Sequence, residues 1–137
     1  MIFIKYLDIK DEITIDVRTK SEFKNMNLFQ YNLPVISEEE HKKIKNFYPS
    51  AIFIIAKSIF LKRSHFKNEL IRISNNGTIP IVIGCSRGRL RSPLMYLFCK
   101  SIGIKNSKIL WAGIKPLFKN NLYIQNKKIY RKKDSHN

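Results

Sequence analysis

Acidic residues are scarce beyond the first third of this 137-residue chain. Residues 41–137 contain two of them, Glu69 and Asp134, against 21 Lys and Arg. Residues 1–40 hold eight acids and five bases, and the formal net charge is +16. This excess of positive charge favours a polyanionic partner, nucleic acid first and an anionic membrane second. A biased composition rich in Lys, Ile and Asn is the alternative explanation.

Cysteine is equally scarce, and the two present, Cys85 and Cys99, belong to no CxxC motif or Cys/His cluster. Two cysteines cannot build a disulfide framework, and no spacing typical of a metal site occurs. We therefore expect no metal and no bound cofactor.

Long apolar runs are also missing. Lys5 and Asp8 interrupt the N-terminal segment, so no signal peptide is predicted. Lys57 ends the most apolar run, 51–56, well short of the roughly 20 residues that a membrane-spanning helix needs. We expect a cytoplasmic protein with no membrane partner.

Short apolar runs alternate with helical stretches along the chain. Strands are predicted at 2–8, 13–17, 31–35, 78–84 and 108–111. Helices are predicted from a capping box at 19–22, over 37–73 in two pieces divided at Pro49, over 92–101 and over 114–118. The alternation predicts one α/β domain, residues 1–118, with a mainly parallel central sheet flanked by helices. A basic tail, 119–137, is expected to be loosely ordered.

The segment that carries chemistry follows the strongest predicted strand. Cys85 stands at the carboxyl end of that strand, where open α/β sheets bind ligands, and Ser92-Pro93 is suited to begin a helix. Backbone N–H groups of a loop around the sulfur, and the positive end of the helix, would favour the nucleophilic thiolate. We predict that Cys85 is catalytic and that the rest of the loop binds an anion, namely Ser86, Arg87, Gly88, Arg89, Leu90, Arg91 and Ser92.

Two chemistries suit such a loop. The cysteine could attack sulfur or selenium and carry the atom, or it could attack a phosphate ester, since Cys85-x5-Arg91 also matches the pattern of cysteine phosphatases. A phosphatase needs a carboxylic acid for the leaving group, and Asp16, Glu22 and Glu69 offer no obvious choice. Spacing alone leaves both open.

Several residues have simpler interpretations. Cys99 and Trp111 are predicted to lie in the core, and Gly88 to permit a positive φ. An ion pair from Arg18 to Glu22 would account for Arg18. Arg89 could contact either the anion or RNA.

Five motifs, in register over roughly residues 2–118, resemble the rhodanese (sulfurtransferase) domain. They are Asp16-Val17-Arg18-x3-Glu22-Phe23, Asn32-Leu33-Pro34, Cys85-Ser86-Arg87-Gly88-x2-Arg91-Ser92, Ile102-Gly103-Ile104 and Leu110-Trp111-Ala112-Gly113-Ile114-Lys115. The resemblance implies the rhodanese-like fold, Cys85 as sulfur carrier, and Asp16, Arg18 and Glu22 as supporting residues.

The stretch between Pro34 and Thr78 is longer than in an ordinary rhodanese domain. It is similar to the insertion in the rhodanese part of tRNA 2-selenouridine synthase, with Glu40 and Tyr48 matching and His41 and Lys45 departing from its pattern. Ala112 stands where that family usually has Gly. The helical insertion is expected at about 37–73.

That synthase carries a second, P-loop domain, and this chain contains no Gly-x4-Gly-Lys-Ser/Thr. The resemblance therefore implies the rhodanese subunit of a two-chain synthase, with a separate P-loop subunit and tRNA as partners. The reaction would replace sulfur by selenium in the wobble 2-thiouridine, with selenophosphate as donor. The alternatives are a stand-alone thiosulfate sulfurtransferase or persulfide carrier, and a non-catalytic tRNA-binding adaptor.

Overall fold

A five-stranded sheet forms the centre of the molecule. The computed structural model describes residues 2–87 and 90–118. Its strands are β1 (Phe3–Ile4), β2 (Ile13–Asp16), β3 (Tyr31–Asn32), β4 (Ile81–Gly84) and β5 (Ser107–Leu110). They are ordered β1-β5-β4-β2-β3, and every pairing is parallel. The predicted α/β class with a parallel sheet is confirmed.

Helices connect the strands. They are α1 (Lys20–Asn25), α2 (Glu38–Asn46), α3 (Ala51–Leu61), α4 (Arg63–Ile73) and α5 (Arg91–Ser101), with 3₁₀ turns at Tyr6–Asp8, Tyr48–Ser50 and Lys115–Phe118. None of the helices in the described ranges is both long and apolar enough to cross a membrane.

Side-chain alternation along β4 divides the core in two. Ile81 and Ile83 face a large cluster that includes buried residues of α2, α3, α4 and α5. Val82, between them, faces a smaller cluster with Phe29 and Ile114. Successive strand residues point to opposite sides, so an apolar run such as Ile-Val-Ile is what a sheet covered on both faces requires.

Local signals fix several helix ends as predicted. Thr19 and Glu22 form a complete capping box at α1, and Ser37 forms a second with Glu40 at α2. Gly103, with φ of +89°, follows α5 where a left-handed residue is favoured.

The structure corrects three other details. The predicted second helix of the insertion is two helices, because the chain leaves helical geometry at Lys62. Helix α5 begins at Arg91 rather than after Ser92, so Ser92 lies in its first turn instead of capping it. Trp111, predicted in the core, is 57% exposed and packs edge-on against Phe3 with ring centroids 5.6 Å apart. It follows the last residue of β5, Leu110, and lies beyond the part of the sheet that other elements cover.

A fully buried ion pair closes the carboxyl end of β2. Arg18 donates to both carboxylate oxygens of Asp16, at 2.7 to 3.0 Å, and its second amino group also donates to the carbonyl of Met26. Asn32 donates to the carbonyls of Asp16 and Arg18. The expected Arg18–Glu22 pair is wrong, because the Arg18 guanidinium is held by Asp16 and Glu22 binds another arginine. This cluster ties β2, α1 and β3 together.

Replacing Asp16 by Asn should lower the free energy of unfolding by about 3–5 kcal/mol, because the buried Arg18 charge loses its counter-ion. The double variant Asp16→Leu/Arg18→Met removes both charges and should lose clearly less. Urea denaturation measures both. Equal losses in the two variants would contradict a role for charge compensation.

Candidate active site

Cys85 lies where strand β4 ends, at the carboxyl edge of the sheet. Its side chain is buried, and its Sγ is 3.2 Å from Oγ of Ser92 in the first turn of α5. Gly84 precedes it because a Cβ at that position would lie 2.6 Å from the ring of Phe29. The thiol therefore has a fixed position and a hydroxyl that can donate to it.

A cavity of about 440 Å³ opens beside this cysteine. Ile36 and three residues of the insertion, Ile44, Ala51 and Ile55, supply much of its apolar wall. Arg87, Lys45 and Lys115 line it as well and bring positive charge. A cavity of this composition suits a ligand with an anionic group and an apolar part.

Glu22 connects the parts of the site. It accepts hydrogen bonds from the Arg91 guanidinium, at 2.7 and 3.3 Å, and from the Ser86 hydroxyl at 3.1 Å. His41 Nδ1 lies 3.8 Å from the same carboxylate. Burial alone raises the pKa of Glu22, but the hydrogen bonds and charge of Arg91, the Thr19 N–H and His41 outweigh it and lower the pKa to about 2. Glu22 is thus ionised at neutral pH and holds Arg91 and Ser86 together.

The segment after β5 braces the cysteine loop. The N–H groups of Ile114 and Lys115 donate to the carbonyls of Cys85 and Ser86, both at 2.8 Å. Gly113 has φ of +82°, and a Cβ there would lie 2.5 Å from the Arg87 Cα. Only glycine permits this close approach of two backbones.

The structure brings together most of the predicted loop. Ser86, Arg87, Leu90 and Arg91 line the cavity with Cys85, and Ser92 contacts the thiol from a buried position. Asp16 and Arg18 lie outside the cavity lining and pair with each other at the end of β2. The predictions for Gly88, Arg89 and the tail 119–137 fall outside the described residues.

Arg91 and Cys99 have well-defined surroundings. The Arg91 guanidinium is bound by Glu22, so Arg87 and Lys115 are more accessible cations for a substrate anion. Cys99 is buried in the core as predicted, and burial raises the pKa of its thiol to about 12. Among the described residues, no group of three or more His, Cys, Asp or Glu could hold a metal ion.

Sequence reasoning missed the contribution of α2 and of the 3₁₀ turn after it. His41, Ile44 and Lys45 of α2 and Tyr48 of the turn all line the cavity. Burial lowers the pKa of His41, and the charges of Arg91 and Lys45 act in the same direction against that of Glu22. The signal was present, because positions i, i+3, i+4 and i+7 share one helix face. It gave no indication of which surface that face would meet.

Comparison with known proteins gives a structural likeness. No family model matches the chain, and no curated protein matches its sequence. A crystal structure of the N-terminal domain of a candidate ATP/GTP binding protein from Clostridium difficile 630 is similar, with 27% identity and a TM-score of 0.71. The match covers 87% of this chain and 97% of that domain.

Gly113→Ala should displace the cysteine loop, because the new Cβ meets the Arg87 backbone. Gly103→Ala is the matched control, since Gly103 also has a positive φ but has open space around it. The control should lose about 1 kcal/mol of stability from backbone strain, and Gly113→Ala about 1–3 kcal/mol more. The rate at which iodoacetamide alkylates Cys85 should change severalfold in Gly113→Ala and stay as in the wild type in Gly103→Ala. The same alkylation rate in both variants would contradict the bracing role.

Glu22→Gln should remove stability that depends on pH. The pKa of Glu22 falls from an ordinary 4.5 to about 2, so its ionised form stabilises the fold above pH 4.5, and this is lost as the pH falls through 2. At pH 7 the free energy of unfolding of the wild type should exceed that of Glu22→Gln by about 2 kcal/mol. This value is reduced because solvent partly screens Glu22. Urea denaturation should show the gap shrinking towards pH 2. Glu39→Gln, at an exposed position, is the control. A difference in free energy of unfolding that does not change with pH would contradict this role of Glu22.

Proposed function

We propose that this chain is the rhodanese-like subunit of a two-chain tRNA 2-selenouridine synthase. It would replace sulfur by selenium in the wobble 2-thiouridine of tRNA, with Cys85 as the nucleophile and selenophosphate as the selenium donor. The observation that carries the proposal is the position of Cys85 at the sheet edge, beside a cationic and partly apolar cavity, with Ser92 Oγ at 3.2 Å. The five-stranded parallel sheet is compatible with a rhodanese-like fold.

The chemistry can be written explicitly for a sulfur donor. The Cys85 thiolate attacks the outer sulfur of thiosulfate, and an S–S bond to the cysteine forms as the S–S bond of thiosulfate breaks. Sulfite leaves with the electron pair, and the cysteine retains a persulfide. Ser92 can donate a hydrogen bond to the cysteine sulfur, and Arg87 and Lys115 can hold the oxyanion. Selenophosphate offers the same loop a similar tetrahedral anion.

Charge and the structural likeness support the two partners. A net charge of +16 favours a tRNA substrate through its phosphates. The similar bacterial domain is part of a protein described as binding ATP or GTP. The proposed synthase would also combine a domain of this fold with a nucleotide-binding part. In it, the nucleotide-binding part would be a separate P-loop subunit.

The phosphatase alternative is less well supported. Glu22 is the carboxylate that lines the described part of the cavity, and with a pKa of about 2 it cannot protonate a leaving group at neutral pH. Asp16 is buried against Arg18, and Glu69 binds Arg72 on helix α4. A stand-alone sulfurtransferase uses the same Cys85 chemistry and differs in lacking RNA and a partner.

Intact-protein mass spectrometry tests the nucleophile. After exposure to thiosulfate, the wild type should gain one sulfur atom, and Cys85→Ser should gain none. Cys99→Ser is the matched control and should behave as wild type, because the Cys99 thiol is buried with a pKa near 12. An adduct retained in Cys85→Ser would refute the proposal.

Cellular tRNA analysis then separates the alternatives. Loss of 2-selenouridine in Cys85→Ser cells supports the synthase, while turnover of thiosulfate without RNA binding supports a stand-alone sulfurtransferase. Salt-sensitive tRNA binding that survives Cys85→Ser, with no adduct in the wild type, supports an adaptor. Hydrolysis of an aryl phosphate would indicate a phosphatase.

A further inference from the structure

Helix α3 is apolar on both sides. Its inner side packs into the core through Ala51, Ile55 and Ile59. Its outer face, which we call the α3 outer face, consists of exposed residues, namely Ile52, Phe53, Ala56, Lys57, Phe60 and Leu61. A helix that is apolar all round is normally buried. Soluble proteins rarely expose a contiguous apolar patch of this kind unless it binds something.

Basic residues outnumber acidic ones around this face, and Glu38, which lines a cavity with Leu61 and Lys62, is an acidic neighbour. Residues 41–68 contain seven Lys and Arg and no Asp or Glu. Lys45 lies before α3, and Lys62 and Arg63 lie directly after it; all three are exposed. The complementary surface is therefore an apolar centre with an acidic rim.

Two other occupants suit the face less well. A second copy of this chain would bring a further +16 against the same basic border, so its approach is repelled. RNA stacks its bases on aromatic rings separated by cations. This face has two such rings, Phe53 and Phe60, but the Arg63 guanidinium already lies 4.3 Å from the Phe60 ring centroid. Its other apolar residues, Ile52, Ala56 and Leu61, offer no ring to a base. The face has the composition of a protein interface.

We propose that the α3 outer face docks a protein subunit whose apolar groove is bordered by acidic residues. The identification of that subunit as the nucleotide-binding chain rests on the proposed function. It is supported by the bacterial domain of similar structure, which belongs to a longer protein described as binding ATP or GTP. Docking here would place the partner on the helix whose inner residues Ala51 and Ile55 line the cavity of Cys85.

Site-specific photo-crosslinking in the native cells tests this inference. A photo-reactive phenylalanine analogue is placed at Phe53, which is 76% exposed, at Phe60, or at the control position Leu97 on α5, which is 59% exposed. One and the same acidic polypeptide, retained by immobilised ATP, should be captured from positions 53 and 60 and not from 97. Capture of RNA, of a second copy of the chain, or of nothing above the control would overturn the proposal.

A variant that introduces negative charge tests the same face by a second measurement. Phe53→Asp/Phe60→Asp should reduce recovery of the captured polypeptide with the tagged chain about tenfold or more, because it places charge at the apolar centre opposite an acidic rim. Leu97→Asp should leave recovery unchanged. Unchanged recovery with the double variant would overturn the proposal.

Adduct formation keeps the two proposals apart. The α3 variants should fold as the wild type does by circular dichroism and should form the Cys85 adduct at the same rate. A wild type that forms no adduct contradicts the proposed function and leaves the crosslinking result to decide the interface. A normal adduct without the expected crosslinks contradicts the interface alone.

Discussion

One carboxylate organises the site. Glu22 caps helix α1 by accepting from the Thr19 N–H, binds Arg91 at the start of α5 and accepts from Ser86 in the cysteine loop. Three elements of the chain, two of them more than 60 residues apart from the first, therefore share a single partly buried anion. Because that anion is ionised and multiply bonded, displacing any one element leaves a charged group with unsatisfied partners. Glu22 thereby holds Ser86 and Arg91, which lie on either side of the loop that begins at Cys85.

The same pairing divides the arginines between two tasks. Arg91 is neutralised by Glu22 and holds the loop against α1. Arg87 lines the cavity with Lys45 and Lys115. A loop fixed by a compensated pair can face an anion without rearranging, which is the preorganisation that electrostatic stabilisation of a developing charge requires. Spacing alone could not assign these tasks, because each arginine follows Cys85 in the same short segment.

The sequence predicted what local physics controls. The capping box at 19–22 and the position of Cys85 after a strand are predictable from spacing, because each depends on nearby residues, and the parallel sheet from the alternation of strands and helices. The errors concern surfaces. Trp111 was assigned to the core from its type, although its exposure depends on where the sheet's cover stops. The sequence indicates no partner for His41, because only the packing of α2 brings it to Glu22.

Helix α3 has an apolar outer face that the folding of this chain does not require. An amphipathic helix encodes its fold through one apolar face, and a second apolar face adds nothing to the folding of this chain alone. Its inner residues line the cavity of Cys85, and its outer residues form the proposed docking face. A partner that prefers one position of α3 would therefore change the cavity, and a ligand in the cavity would change the affinity for the partner by the same factor. If the proposed docking takes place, the insertion would connect Cys85 to the docked subunit.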